Sequence, residues 1–208
     1  MKIKKEELRQ ALEIVKPGLA NKEIIEQSTH FAFINNRVVA YNDEISISHP
    51  VPGLNINGAV RAEELYKLLG KLKKDEIEVE IVDNEIILTT GKSKAGLRLQ
   101  AEITLPLEEI KEQNDWKPLP DKFLEAVKFT LNSCSNDMSR PIMTCIHATN
   151  SFVEGSDGFR ISKYMVKKIP VVDLLIPASS MRELLKVKPT QIAVGTGWSH
   201  FRTEQDTI

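Results

Sequence analysis

One pattern, an amphipathic helix followed by a run of short alternating segments, occurs four times along the chain and constrains its fold more than any other feature. The clearest pair of copies is Ala62-Glu63-Glu64-Leu65-Tyr66-Lys67-Leu68-Leu69 and Ala178-Ser179-Ser180-Met181-Arg182-Glu183-Leu184-Leu185. A single helix on a few strands cannot bury its apolar face alone, so repetition implies units that stack on one another. The fold class this predicts is α+β, built of repeated helix-plus-antiparallel-sheet half-modules with the helices gathered on one face.

Periodicity places the elements. Leu8, Ala11, Leu12 and Val15 follow the spacing of one buried helix face and predict a helix over about 5–16, ended by Pro17-Gly18. Strands are expected at 31–34, 37–41 and 45–48, with Asn35-Asn36 and Asn42-Asp43 as turns, because Asn and Asp tolerate positive φ. The second half-module opens with a strand at 54–57. Its helix is expected at about 61–73 with Leu65, Leu68, Leu69 and Leu72 inward, then strands at 77–82, 85–90 and 96–100. A stretch poor in apolar residues, 107–114, marks the domain boundary, giving domains of 1–112 and 113–208. The third helix begins near Pro120-Asp121 and turns Leu124, Val127 and Leu131 inward; strands are expected at 142–148, 151–154 and 160–168. The fourth helix carries a capping box at Ser180 to Glu183 and stops at Pro189, with strands at 191–195 and 200–204. Internal comparison gives the second half-module three closing strands and the fourth only two, as in a second domain cut short of its last strand.

Composition narrows the chemistry. With 208 residues, 41% of them hydrophobic and 27% charged, the chain has the make-up of an ordinary soluble globular protein large enough for two small cores. Cys134 and Cys145 are too few for a disulfide scaffold, lack zinc-ligand spacing and read as reduced thiols, with the cytoplasm as the expected compartment. No apolar run is long enough to span a membrane. His30, His49, His147 and His200 are scattered, and His147 reads as a sheet residue, not a ligand. Gly91-Lys92-Ser93 resembles the end of a phosphate-binding loop, yet Ile87 stands where the upstream Gly belongs and a strand follows, so it reads as a hairpin turn. No nucleophile, base or metal constellation emerges; the chain is expected to be non-catalytic, with no cofactor and no metal.

Cations recur on the helices. Lys5, Arg9 and Lys16 share a narrow stripe on the first, Lys67, Lys71 and Lys74 on or just after the second, and Arg182 and Lys186 on the fourth; the third carries Lys122 and Lys128. Any single stripe is also what solubility demands of an exposed face. Recurrence at equivalent places favours a shared role: helices side by side would merge their cations into one band. With a net charge of -1, such a band suits loose, sequence-independent attraction to phosphates, for which lysine is better fitted than for fixed bidentate grip.

Three second-domain segments resemble the bacterial DNA sliding clamps, the β subunits of the replicative DNA polymerase (DNA polymerase III). These are Phe129-Thr130-Leu131 with Ser135-Asn136-Asp137-Met138-Ser139-Arg140-Pro141-Ile142, then Gly155-Ser156-Asp157-Gly158-Phe159-Arg160-Ile161-Ser162, and Leu175-Ile176-Pro177-Ala178. The resemblance implies the DNA-clamp fold with helices on the inner face, the chain covering the first domain and most of the second, with the third absent. It implies a DNA-facing surface made of the helix cations plus Asn136, Ser139 and Arg140. It further implies a pocket for short peptides at Met143, Ser156, Gly158, Phe159, Arg160 and Ile161, where Phe159 and Ser156 replace a His and a Thr common in the family.

The expected function is that of a processivity factor, a ring around duplex DNA that tethers the replicative polymerase and makes or breaks no bond. Its implied partners are duplex DNA, polymerases and other proteins bearing clamp-binding peptides, a clamp loader, and further copies closing a homo-oligomeric ring at full length, the fragment itself being a monomer. Two alternatives are a two-domain clamp forming three-subunit rings and a protein-interaction scaffold without nucleic acid.

Overall fold

Every helix is preceded by a strand that pairs outside its own half-module. In the computed structural model, which describes residues 1–110 and 114–208, β1 (Lys2–Lys4) leads into α1 (Lys5–Val15), followed by β2 (His30–Ile34), β3 (Arg37–Tyr41) and β4 (Ser46–Pro50). The second copy runs β5 (Gly58–Arg61), α2 (Ala62–Lys71), β6 (Glu76–Val82), β7 (Glu85–Thr90) and β8 (Ser93–Arg98). The third runs β9 (Lys117–Pro118), α3 (Phe123–Thr130), β10 (Cys145–Thr149), β11 (Phe152–Ser156) and β12 (Ile161–Met165). The fourth runs β13 (Asp173–Pro177), α4 (Ala178–Val187), β14 (Gln191–Val194) and β15 (Ser199–Arg202). The leading strands are exchanged in pairs: β1 joins β6 and β5 joins β2, while β9 joins β14 and β13 joins β10, all antiparallel. Neither half of a pair can therefore satisfy its sheet edges alone.

The chain divides into two units, Met1–Glu109 with Asp206–Ile208, and Ile110–Gln205. The first holds the sheets β4-β3-β2-β5 and β1-β6-β7-β8; the second holds β12-β11-β10-β13 and, among the described residues, the three-stranded β15-β14-β9. This is the α+β class expected, antiparallel sheets with few helices. The expected boundary between 112 and 113 lies outside the described residues. Residues 206–208 were expected with the second domain but assemble with the first unit. There Ile208 and Ser48 exchange backbone hydrogen bonds of 2.7 and 2.9 Å, and Arg37 pairs with Asp206 at 2.6 Å. Added backbone along β4 satisfies an otherwise open sheet edge.

Each unit has its own core. In the first, Leu8, Ala11, Leu12 and Val15 of α1 are buried, as are Leu65 and Leu69 of α2, with Leu72 just beyond; Leu68 is half-buried. In the second, α3 buries Phe123, Ala126, Val127 and, one residue past its end, Leu131, against Ile146, Val153, Met181 and Ile192. Leu124, expected inward, is only half-buried, because the buried spacing starts one residue earlier at Phe123.

Turn chemistry held where Asn or Asp decides it. Asn35 and Asn36 have φ of 50° and 57°, and Asp83 and Asn84 have 47° and 63°, the left-handed pairs that two-residue hairpins require. Other expectations are corrected. Residues 54–57 bury Leu54 and Ile56 but lie outside the ladder, and the strand starts at Gly58. Residues 141–144 form a 3-10 turn, so β10 begins at Cys145. The capping box is not made. Because β13 runs directly into α4, Pro177 is the N-cap, without a side-chain cap, and Ser180 lies within the first turn with its hydroxyl buried.

Burial of histidine gives a pH-dependent stability. His30, His49 and His200 are pushed below the ordinary value of 6.5, chiefly by burial that disfavours the charged ring. The unfolded chain then binds more protons than the folded one as pH falls through 6.5. Stability is expected to be level above that pH and to decline below it. Urea unfolding between about pH 7.5 and pH 5 checks this, and the triple replacement by Gln should flatten the profile.

Candidate functional site

The cations expected to face DNA differ in how they are held. In the first unit α1 and α2 pack on each other. Lys5 is half-buried and donates to the Leu72 carbonyl at 3.0 Å, so it caps the end of α2. Lys16 lies 3.5 Å from Glu13 and 5.2 Å from the centre of the Tyr66 ring. Lys67 pairs with Glu63 at 2.6 Å along the helix. Arg9, Lys71 and Lys74 are exposed and form no ion pair with the described residues. The Lys74 ammonium rests over Gly91, 3.0 Å from where a Cβ would stand. Gly91, at φ +59°, turns the β7–β8 hairpin, so Gly91-Lys92-Ser93 is the turn expected.

In the second unit α3 packs on α4. Lys122 sits at the N-cap of α3, Lys128 and Arg182 are exposed, and Lys186 reaches both carboxylate oxygens of Glu183 at 2.6 and 2.8 Å. Exposed pairs of this kind are worth little, so Lys67 and Lys186 can exchange their carboxylates for phosphate at small cost.

The loop 135–144 bears Asn136, Ser139 and Arg140, all exposed. Its base is closed by Ser135 N–H donating to Met143 O at 2.8 Å. Its tip is closed by Asp137, which accepts from Ser139 N–H at 3.0 Å; hydrogen bonds from Ser139 hold this carboxyl below its usual range. Arg140 does not point away from the protein. One guanidinium nitrogen lies 3.4 Å from the Cβ position of Gly158, so the loop is folded against the turn at 156–160.

That turn is tightly made. One Asp157 carboxylate oxygen accepts from Phe159 N–H and Arg160 N–H at 3.0 Å each, and the other accepts from Arg160 Nε at 2.9 Å. These bonds, led by the backbone donors, hold the Asp157 carboxyl below the ordinary carboxylate range. Ser156 Oγ accepts from Gly158 N–H at 3.1 Å and donates to Arg160 O at 2.9 Å, while Gly158 supplies the left-handed φ of +88°. The result displays Phe159 at 96% exposure and Ile161 at 65%, beside half-buried Met143 on the neighbouring loop. All six expected peptide-pocket residues thus lie on this turn, the start of β12 and the loop packed on it.

Sequence reasoning missed Met138 and Ile142, each 72% exposed on the same loop. Ile142 was hidden by its expected place at the start of a strand; the signal available was Pro141 just before it, which favours the first turn of a helix and opens the 3-10 turn seen here. His147 is the sheet residue expected. It lies half-buried, its two ring nitrogens 2.8 Å from Glu154 and 2.9 Å from Asp173, fastening β10 to β11 and β13. Among the described residues no cluster of His, Cys, Asp and Glu is arranged to hold a metal ion, and no helix is long and apolar enough to cross a membrane.

No protein-family model and no curated protein sequence matches the chain. Solved structures do. The DNA polymerase III beta chain of Streptococcus pneumoniae superposes with a TM-score of 0.82 at 22% identity, over 99% of this chain and 62% of that one. The Bacillus subtilis DNA polymerase sliding clamp gives 0.79 at 17%, with the same coverage. The Helicobacter pylori beta clamp, solved bound to a DNA ligase peptide, gives 0.77 at 17%, over 100% of this chain and 63% of that one. The chain thus spans somewhat less than two thirds of the length of these relatives. Over the length it does span, the chain has the fold of the DNA polymerase III β sliding clamps.

Proposed function

We propose that this chain is part of a sliding clamp, a cytoplasmic, non-catalytic processivity factor whose complete ring encircles duplex DNA and tethers a replicative polymerase. The observation that carries the reading is the superposition on sliding clamps along essentially the whole chain. Recurrent exposed cations on paired helices in each unit support it. Connectivity of a ring resists dissociation, so phosphate contacts need only be weak and mobile, which suits lysines that are free or held by exposed carboxylates. We assign Lys5, Arg9, Lys16, Lys67, Lys71, Lys74, Lys122, Lys128, Arg182 and Lys186, with Asn136, Ser139 and Arg140, to the DNA side. Lys5 contributes there mainly by holding α2 in place.

The turn bearing Phe159 is the second-unit share of a peptide site for polymerases and other clamp-binding proteins, and a clamp loader would open and close the ring. One relative of the same fold is bound to a DNA ligase peptide, which supports this assignment. Preorganised by Asp157 and Ser156, the turn can offer Phe159, Ile161 and Met143 to an apolar side chain without first being ordered.

Fluorescence anisotropy with duplexes of unrelated sequence tests the DNA reading. Weak binding, alike for all sequences, is expected, with log affinity falling linearly in log salt at about 0.9 per phosphate contacted. Tight, sequence-selective binding would refute it. Absence of binding at low salt would favour a protein-interaction scaffold.

A further inference from the structure

We propose that a buried row of side chains, His30, Gln100 and Gln27, fastens the 19–29 loop to the segment 100–104 only while the His30 ring is neutral, so that acid releases the loop. The loop joins the 3-10 turn after α1 to β2, and the segment leaves β8. Both belong to the first unit. Gln27 and His30 are 2% and 3% exposed, and Gln27 holds a left-handed φ of 63° that a Gln takes up only under constraint. Gln100 is held beside β5 by exchanging backbone hydrogen bonds with Ala59 at 2.8 and 2.9 Å.

Backbone groups at the far end fix the direction of the row. Thr104 N–H, which can only donate, lies 2.9 Å from Gln27 Oε1. Glu102 O, which can only accept, lies 2.7 Å from Gln27 Nε2. Gln27 therefore offers N–H to Gln100, whose Oε1 accepts it at 2.8 Å. Gln100 is left to turn its amino group toward His30, and its Nε2 lies 3.5 Å from His30 Nε2. A donor at that place requires an acceptor, so His30 Nε2 is bare and the single ring proton sits on Nδ1. On the Nδ1 side stand two acceptors, Thr29 Oγ1 at 3.3 Å and Glu23 Oε1 at 3.5 Å. The same Glu23 oxygen accepts from Gln27 N–H at 2.8 Å, which closes the loop on itself.

A second proton on the ring sets N–H against N–H between His30 and Gln100. Turning the Gln100 amide over moves the clash to Gln27. Turning Gln27 over moves it to Glu102 and Thr104, whose backbone groups cannot change roles. No reorientation satisfies the row, and a buried donor left unmet is costly. Burial, the largest influence, holds the ring below its ordinary value of 6.5. Of the charged groups around it, Glu23 in the loop and Glu64 in the first turn of α2 favour the charged ring, while Arg61, its partner across the β2–β5 ladder, opposes it. The fastened form thus excludes the proton that the released form takes up. Below a pH of 6.5 the released population grows by up to about tenfold per pH unit. An open cleft of about 390 Å³, bordered by Gln27, Gln100, Glu102 and Thr104, gives the freed groups access to water. The released loop carries exposed Lys22 and Ile24 at its tip. None of this depends on the DNA reading.

The test is NMR on the 208-residue chain. Ring nitrogen shifts report where the His30 proton sits. Amide exchange from about pH 7.5 to about pH 5, corrected for the intrinsic exchange rate, reports release. Expected is a proton on Nδ1 at the upper pH. On acidification the protection of the Gln27 and Thr104 amides should fall together, by up to about tenfold per pH unit, while Leu88 in the middle of β7 keeps its own. His30→Gln retains an acceptor that does not titrate, so the fall should disappear. Gln100→Glu turns a carboxylate oxygen toward the ring; its His30 should titrate at higher pH than the wild-type ring, and its loop should stay fastened in acid. Should His30→Gln fail to fold, the wild-type tautomer and the Gln100→Glu titration decide. A neutral ring protonated on Nε2, steady protection at Gln27 and Thr104, an undiminished fall in His30→Gln, or loss at Leu88 in step with Thr104 would each overturn the proposal.

Discussion

Phe123→Ala is expected to destabilise the second unit by about 3–5 kcal/mol and to leave the first unit's local stability unchanged. Phe123 is among the largest fully buried side chains, at 1% exposure, and its ring stacks on Phe201 of β15 with centroids 6.4 Å apart. It opens α3, so its ring joins the helix to the β15-β14-β9 sheet, and truncation leaves a cavity that two different elements must collapse to fill. The cost is confined because the cores do not merge. The apolar cluster around Leu12, Phe31 and Ile77 and the one around Phe123, Ile146 and Met181 are separate sets. Hydrogen exchange resolved by segment is the measurement. Amides of α3, α4 and β10 to β15 should lose protection, while those of α1, α2 and β2 to β8 keep theirs. Leu124→Ala, beside it but half-buried, should cost less than about 2 kcal/mol. A uniform loss of protection along the whole chain would show that the two cores unfold as one.

The contrast between Phe123 and Leu124 shows what the sequence could and could not reveal. Helix faces were legible where several leucines repeat, as in α1 and α2, because the apolar period is unambiguous. In α3 the stretch Phe123-Leu124-Glu125-Ala126-Val127 fits two registers one residue apart, and only packing decides between them. Turns were legible where Asn, Asp or Gly must supply a positive φ. The exchanged strands β1, β9 and β13 were not, since each is two to five residues long and its pairing partner lies in a different half-module. Short strands take their identity from the neighbour they pair with, which carries no local signature. At the candidate sites the residue types were readable, but their engagement was not. Nothing in the spacing of Lys5 or Arg140 told that one caps a helix and the other lies against Gly158.

Replacing Lys71 and Lys74 together by Glu should lower duplex affinity by more than roughly tenfold at low salt and reduce the salt slope by about two. These two are the sharpest probes because they are exposed and lack carboxylate partners among the described residues. Reversal then removes two phosphate contacts and adds repulsion, with little change in folding. Lys67→Glu should do less, since it sets a second carboxylate against Glu63 along α2 and so mixes a helix penalty of a few tenths of a kcal/mol into the result. Lys5→Met discriminates further. Its ammonium holds the Leu72 carbonyl, so the variant should lose about 0.3–1 kcal/mol of stability while leaving the salt slope nearly intact. Anisotropy titrations over a salt series, run beside urea unfolding of each variant, keep the two effects apart. A double reversal at Lys71 and Lys74 that leaves the slope where it was would place α2 away from DNA. The recurrent cations would then serve solubility alone, and the shared fold would no longer carry the clamp's function to this chain.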